Sequence, residues 1–294
     1  MELKFNNLGY TYRKGHVTAL EGVTATVGHG VYLLLGENGA GKTTLMQIAD
    51  GLRFATAGSC TIDGVDVSLR LPSVTSRVFY LGNDIYFPAR DLAEMVEMHA
   101  GFYPNFDAAE LEANLAAFGL NMHMRIAAMS TGIQRKAMVA YGLALNTDLL
   151  LLDELTNGLD IESKINLQKL IARNCREGQT IIISTHHIAD LENLYDGVLM
   201  LKGARLVLAA TLDDITDTLA FTAGPLKPAE ALHAELYGGQ WHAIMDRRAV
   251  DADTAAASVL DFRLLYTGVR GPQGPQIVEI ITAEKTAQDD DDNK

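Results

Sequence analysis

Three short apolar runs punctuate the chain: Val31–Leu35, Leu149–Leu152 and Thr180–Ile183. Each stops at a small or polar residue, respectively Gly36, Asp153 and Ser184. Unbroken runs of this length, without alternation, suit strands buried on both faces of a parallel sheet. Between the runs the apolar spacing becomes helical, over roughly 43–51, 131–145 and 162–176. Alternating strands and helices predict an α/β core with a mostly parallel sheet. Val198–Leu201 and Arg205–Leu208, on either side of Gly203, read as a closing hairpin. Residues 88–128 break the rhythm: the pattern predicts consecutive helices over Asp91–Ala100 and Asp107–Phe118, separated by Tyr103-Pro-Asn105. From about residue 212 the patterning weakens. Gly224-Pro225, Gly238-Gly239 and Gly271-Pro272 read as turns, and Gln240–Met245, Phe262–Tyr266 and Gln276–Thr282 as strands of a small α+β appendix. The last six residues, 289–294, read DDDDNK; adjacent carboxylates repel, so a disordered tail is expected there.

The first run leads into GENGAGKT, residues 36–43, which matches G-x-x-x-x-G-K-[ST] between a strand and a helical pattern. Its glycines let successive backbone N–H groups turn inward around phosphate oxygens. Lys42 can bridge β- and γ-phosphates, and the Thr43 hydroxyl can hold Mg²⁺. The second run ends in Asp153-Glu154. Asp153 would hold the same Mg²⁺, directly or through water, and Glu154, at the sheet's carboxyl edge, would act as general base toward water.

A second anion site is written in MSTGIQRK, residues 129–136. Ser130 reads as a helix N-cap, and Gly132 leaves the backbone open to a close neighbour. A helix start with free N–H groups attracts an anion, yet this one carries no acid to hold a metal.

Composition narrows the partners. A net charge of −13 over 294 residues disfavours nucleic acid and anionic lipid. The two cysteines, Cys60 and Cys175, have no metal-ligand spacing and read as reduced packing residues of a cytoplasmic protein. No apolar signal core opens the chain, and no stretch reaches the ~18 apolar residues that a membrane span needs. A partner chain would have to do any spanning.

Taken in order, these stretches resemble the ATP-binding cassette (ABC) ATPases over about residues 2–210. LTNGLD (155–160) is similar to that family's D-loop, STHH (184–187) to its switch-histidine segment, and MSTGIQRK to its signature. The resemblance implies a P-loop NTPase core with an N-terminal antiparallel β subdomain and an inserted helical subdomain at about 88–145, all within an ATPase domain at 1–211. A small C-terminal domain would follow at 212–288. It implies ATP and Mg²⁺ contacts at Gly36, Asn38, Gly39, Ala40, Gly41, Lys42, Thr43 and Thr44, with Tyr12 stacking on adenine, His186 sensing the γ-phosphate and Asp160 in the D-loop. Ser130 and Gly132 would face the nucleotide of a second subunit, homologous or identical, joined head to tail. The sequence departs from the pattern in three places. Asn83 stands where a glutamine usually contacts Mg²⁺, with Asp84 beside it; Thr131 replaces the first signature glycine, and Ile133 the glutamine. Asp160 also reads as the N-cap of the helix after it. The aromatic group Tyr86, Phe87, Phe102, Tyr103 and Phe106 reads either as core of the helical subdomain or as an exposed contact patch. The implied function is an ATPase subunit, peripheral on the inner face of the cell membrane, that powers a separate permease. The segment from Phe102 onward resembles a drug, peptide or antibiotic exporter branch; an importer ATPase and a soluble non-transport ABC ATPase are the alternatives.

Overall fold

The computed structural model describes residues 1–84, 89–185, 188 and 191–291, the last eight by backbone alone. The chain divides into two compact units: residues 1–195 with 203–205, and 196–202 with 206–294.

The first unit contains β1 (Leu3–Tyr12), β2 (Val17–Val27), β3 (Gly30–Gly36), α1 (Lys42–Ala49), β4 (Ala57–Ile62), β5 (Val65–Asp66), α2 (Pro72–Thr75), β6 (Val78–Leu81), α3 (Leu92–His99), α4 (Ala108–Ala117), α5 (Thr131–Ala144), β7 (Leu149–Leu152), α6 (Ile161–Asn174) and β8 (Thr180–Ser184). β2, β1, β4 and β5 form an antiparallel sheet in that order. β3, β8, β7 and β6 are parallel neighbours, with Leu34 opposite Ser184, Leu152 opposite Ile183 and Leu81 opposite Leu152. The continuous apolar runs have the expected cause. Leu149 to Leu152 are each 0% exposed, and full burial of a leucine stabilises by roughly 2 kcal/mol. The in-phase register ends all four strands at one carboxyl edge, where Gly36, Asp153 and Ser184 emerge.

Helices α3 to α6 start where short polar side chains satisfy free N–H groups. Asp91 accepts from Glu94 N, Asp107 from Ala109 N and Glu110 N, Ser130 from Ile133 N and Asp160 from Ser163 N. The aromatic group proves to be divided. Tyr103 and Phe106 pack near the fully buried Tyr141, whose hydroxyl meets His99 Nδ1 at 2.8 Å, whereas Phe102 is 70% exposed. Tyr86 and Phe87 lie outside the described residues.

Asp50 closes α1 as its C-cap. Burial pushes its carboxyl up to about 7 despite Arg70; burial also raises the Tyr80 and Tyr103 phenols, with the charge of Asp50 a smaller contribution. The folded state therefore keeps a proton that the unfolded chain releases near 3.8. Stability from this group is complete below that lower value and lost as pH climbs toward the upper one. The span of about 3 pH units corresponds to at most about 4 kcal/mol. Asp50→Asn is expected to gain stability over the wild type progressively between about pH 4 and pH 8 in denaturant melts. A pH-independent difference would remove Asp50 as the cause.

The second unit contains β9 (Gly197–Lys202), β10 (Arg205–Thr211), α7 (Leu212–Thr218), β11 (Leu219–Gly224), β12 (His233–Tyr237), β13 (Gln240–Asp246), α8 (Ala252–Ala256), α9 (Phe262–Arg270) and α10 (Gly274–Asp291). The hairpin between β9 and β10 turns at Gly203 and Ala204, both with positive φ (55° and 68°). This division differs from a boundary at 211/212: β9 and most of β10 group with the C-terminal residues. β11, β13 and β12 form an antiparallel sheet in that order, and the β12–β13 turn places Gly238 and Gly239 at φ 59° and 80°.

Two expected strands are helices. Phe262–Tyr266 lies in α9, where Asp261 caps Leu264 N and the buried positions Phe262, Leu265 and Val269 recur at helical spacing. Gln276–Thr282 lies in α10, with Ile277 and Ile281 buried four residues apart. Short apolar runs do not by themselves distinguish the two periods. The α10 backbone continues to Asp291, so residues 289–291, expected in a disordered tail, are helical; extending a nucleated helix is far easier than starting one. Residues 292–294 lie outside the described residues.

Candidate functional site

The loop between β3 and α1 builds the floor of a cleft. Gly39 and Gly41 have φ 81° and 105°, and a Cβ on Gly41 would sit 2.3 Å from the Ala19 carbonyl oxygen, so no other residue fits there. Ala40 is buried in the turn, with its N–H donating to Glu37 O at 3.1 Å. Lys42 is only 6% exposed, and its Nζ donates to the carbonyls of Gly36 (2.7 Å) and Glu37 (3.2 Å). Burial holds its pKa below the ordinary lysine value, while Glu154 and Asp153 pull it back up. The loop thus points a near-buried cation at its own carbonyls, a position from which it can turn to an anion.

Asp153 is a buried hub behind the lining of the cleft. It is 2% exposed; its Oδ2 accepts from Thr43 Oγ1 at 2.6 Å and from the Tyr80 hydroxyl at 3.2 Å, and its Oδ1 accepts from Ser184 Oγ at 2.5 Å. Three hydroxyl donors suit a charged carboxylate. Burial and the nearby Asp153 push the Tyr80 phenol far up, so it remains a donor. Thr43 and Asp153 together offer hard oxygens at one point. Among the described residues there is no cluster of three His, Cys, Asp or Glu that could hold a metal. A hydroxyl and one carboxylate are the incomplete set that suits Mg²⁺, which keeps waters and phosphate oxygens as its other ligands.

Glu154 follows in a left-handed conformation, φ 52°, its N–H donating to Ser184 Oγ at 2.9 Å. Its Oε2 accepts from Asn157 Nδ2 at 3.3 Å. Glu154 shares with Tyr12, Glu37, Asn38, Gly39, Gly41, Lys42, Thr43, Thr44, Asn83 and Asn157 the lining of an open cleft of about 610 Å³. Of the sequence-selected residues, Asn38, Gly39, Gly41, Lys42, Thr43, Thr44, Glu154 and Tyr12 therefore share the cleft, while Gly36, Ala40 and Asp153 lie outside its lining, Asp153 joined to it through Thr43. Tyr12 lies at the cleft while its ring packs within β1. Its ring packs edge-on to Tyr10 at 4.9 Å beneath Arg53, and its hydroxyl, at the cleft, meets Thr44 Oγ1 at 2.9 Å.

Asn83 reaches the cleft, but its amide oxygen already accepts from Arg135 Nη2 at 3.2 Å, beside a 2.8 Å bond to its carbonyl. His186 lies outside the described residues. Ser130, Gly132 and Asp160 are not among the described residues that line the cleft. Ser130 caps α5 as expected, and the close neighbour at Gly132 is Gly158: a Cβ there would sit 2.9 Å from the Gly158 carbonyl oxygen. Asp160 caps α6, accepts from Ser163 N and Oγ and is held down to about 2 by those bonds first; Lys136 of α5 lies 3.4 Å away.

Sequence motifs missed three side chains in this network: Tyr80, Ser184 and Arg135. Tyr80 was recoverable from strand register, because it lies opposite Leu151, two residues before Asp153 and so on the same sheet face. Ser184 was recoverable in the same way as the end of β8. No local signal marks Arg135.

Residues 20–157 match the family described as ABC transporter. The ABC transporter ATP-binding protein NatA of Bacillus subtilis (strain 168) is 29% identical over 214 residues, 70% of this chain and 87% of that protein. The Energy-coupling factor transporter ATP-binding protein EcfA2 of Streptococcus thermophilus is 31% identical over 238 residues, 75% of this chain and 85% of that protein. Among solved structures, the ATP-binding subunit of an ABC transporter matches with a TM-score of 0.65 at 27% identity, over 74% of this chain and 92% of that one. The fold is shared with an ATP-binding cassette solved as a dimer in a post-hydrolysis state with ADP and Pi, with a TM-score of 0.62 at 23% identity, over 71% of this chain and 98% of that one.

Proposed function

The chain belongs to the ATP-binding subunits of ABC transporters, an ATPase family, and from that membership we propose that it closes head to tail with a second cassette around ATP and drives a separate exporter permease. The observation that carries the reading is the convergence of Lys42, Thr43 and Glu154 on one cleft, with Asp153 bonded to Thr43 just behind its lining, while the Ser130–Gly132 helix start neither lines the cleft nor bonds to Thr43. Ser130 and Gly132 present a helix N-terminus without the acid and hydroxyl pair that would hold a metal, which suits half of a shared site. Their N–H groups would stabilise the γ-phosphate held by the other subunit. Within one chain, Lys42 would leave the Gly36 and Glu37 carbonyls for the β- and γ-phosphates, and Tyr12 would stack on adenine. Thr43 and Asp153 would hold Mg²⁺; Asn83 would join them only by releasing Arg135. When bound, Mg²⁺ supplies charge neutralisation for the phosphate oxygens. Glu154 would accept the proton of the water attacking the γ-phosphorus, yielding ADP and phosphate, and His186 would sense that phosphate.

Among the described residues no helix is long and apolar enough to cross a membrane. We place the protein on the cytoplasmic face of the membrane through the proposed permease, without nucleic acid. Exposed Phe102, with Pro72, Thr75, Ser76, His99 and Tyr103, lines a hollow of about 330 Å³ that suits a permease helix. The second reading, an energy-coupling-factor type of transporter ATPase, is favoured by the 31% identity to EcfA2.

The shared site has a direct test. With MgATP, the Glu154→Gln protein is expected to double in mass by light scattering, and Gly132→Asp in that background to stay monomeric. Dimerisation that survives Gly132→Asp would exclude the signature from the interface. Detergent extraction with affinity capture then reads the permease and its cargo; capture of a solute-uptake permease would replace export with the second reading.

A further inference from the structure

We propose that Arg135 is a positioning residue that fixes the backbone of Glu154 relative to Asn83, tying the first turns of α5 to the hydrolytic end of their own chain. The inference rests on the reading of Glu154 as general base and deepens it.

Arg135 is 3% exposed, on the second turn of α5. Its Nη1 donates to the Glu154 carbonyl, and its Nη2 to the Asn83 carbonyl (2.8 Å) and amide oxygen (3.2 Å). One planar guanidinium therefore spans the ends of β6 and β7, a geometry that its rigid fork provides and a lysine does not. Its Nε has no hydrogen-bond partner among the described residues. The hydrogen bonds of this buried cation go to neutral oxygens, and the nearby carboxylates of Glu154, Asp153 and Asp84 offset part of its desolvation.

What it serves is visible at Glu154. The residue has φ 52°, a conformation that a side chain with a Cβ adopts reluctantly. Its peptide groups are held on both sides: the N–H donates to Ser184 Oγ, and the carbonyl accepts from Arg135 Nη1 and from Asn157 N at 3.2 Å. With either peptide released, the backbone relaxes and the carboxylate is re-aimed away from the cleft that it lines. Gly132 lies three residues before Arg135, on the same helix face, and approaches Gly158 O. That face of α5 therefore meets both ends of the segment from Glu154 to Gly158, so the helix start that is proposed to meet another subunit's phosphate also touches the backbone of this chain's own base.

The test is a double-mutant cycle on the full-length protein. Arg135→Ala is expected to lower kcat by roughly ten- to a hundredfold, the scale of a misplaced reacting group, while ATP affinity stays within about threefold. In the Glu154→Gln background the same substitution should lower residual turnover by less than about twofold, because it acts through a group already removed. Arg135→Lys, which keeps the charge and one donor, should recover part of kcat and serves in the same cycle if the alanine protein does not fold. Multiplicative loss in the cycle, or equal losses of kcat and ATP affinity, would make Arg135 a general structural residue and overturn the inference. If Glu154→Gln is inactive while Arg135→Ala and Arg135→Lys keep wild-type kcat, the inference alone fails. If Glu154→Gln itself retains wild-type turnover, the general-base reading fails and takes the inference with it.

Discussion

Glu154→Gln is expected to lower ATP turnover by roughly 10²–10⁴-fold, the usual contribution of a positioned general base. The substitution is almost isosteric, so the packing around the site should persist. The backbone bonds of Glu154, to Ser184 and from Arg135, do not involve the carboxylate. The side chain loses its negative charge and its ability to take a proton, and the Asn157 Nδ2 bond passes to an amide oxygen. The groups proposed to hold nucleotide, Lys42, Thr43 and Asp153, are untouched, so equilibrium ATP affinity should stay within about threefold, under 1 kcal/mol. Loss of turnover without loss of binding also predicts accumulation of the ATP-bound dimer, because the step that removes the shared nucleotide is blocked. Phosphate release and fluorescent-nucleotide binding measured on the same preparation decide the matter. Turnover above a tenth of wild type would move the base to another group; a parallel loss of binding would make Glu154 a nucleotide ligand.

The legible parts of this chain are those whose chemistry is contiguous. β3, β7 and β8 announce themselves because strands buried on both faces need unbroken apolar runs, and the loop, Asp153 and Glu154 follow them directly. The cap residues Ser130 and Asp160 were readable because capping is a local hydrogen bond. What escaped is contact across the sheet. Tyr80 and Ser184 reach Asp153 only because parallel register sets neighbouring strand ends side by side, and Arg135 joins two loops that lie 52 and 19 residues away in sequence. The same limit explains Asn83: the family resemblance implies a metal contact at its position, but its amide oxygen is engaged by an arginine that no spacing rule points to. In the second unit, α9 and α10 differ from the expected strands because four apolar residues in a short segment fit either period until caps and packing partners choose one.

Lys42→Ala should affect the earlier step. Its Nζ is held within the loop by two carbonyls that a phosphate would replace as its partners. Each charge-assisted bond to phosphate contributes roughly 1.5–3 kcal/mol, so losing two should weaken ATP binding by about a hundredfold or more. Alanine also leaves the Gly36 and Glu37 carbonyls without that donor, which adds a cost to the nucleotide-free loop and makes affinity, rather than folding alone, the quantity to measure. The depressed pKa of Lys42 adds a signature of its own. Burial favours its neutral form, so the wild type should begin to lose ATP affinity at an alkaline pH below that at which ordinary lysines titrate, near 10.5. Because only the protonated amine attracts phosphate, affinity falls as pH rises, and bound nucleotide, by adding negative charge beside Nζ, shifts that loss to higher pH. The Lys42→Ala protein should be weak throughout and lack this alkaline limb. Calorimetric titration of both proteins with MgATP across pH 7 to 10 separates the contributions. A mutant affinity within tenfold of wild type would mean that the backbone N–H groups of residues 38–43 hold the phosphates by themselves, and that the buried lysine belongs to the loop's own architecture.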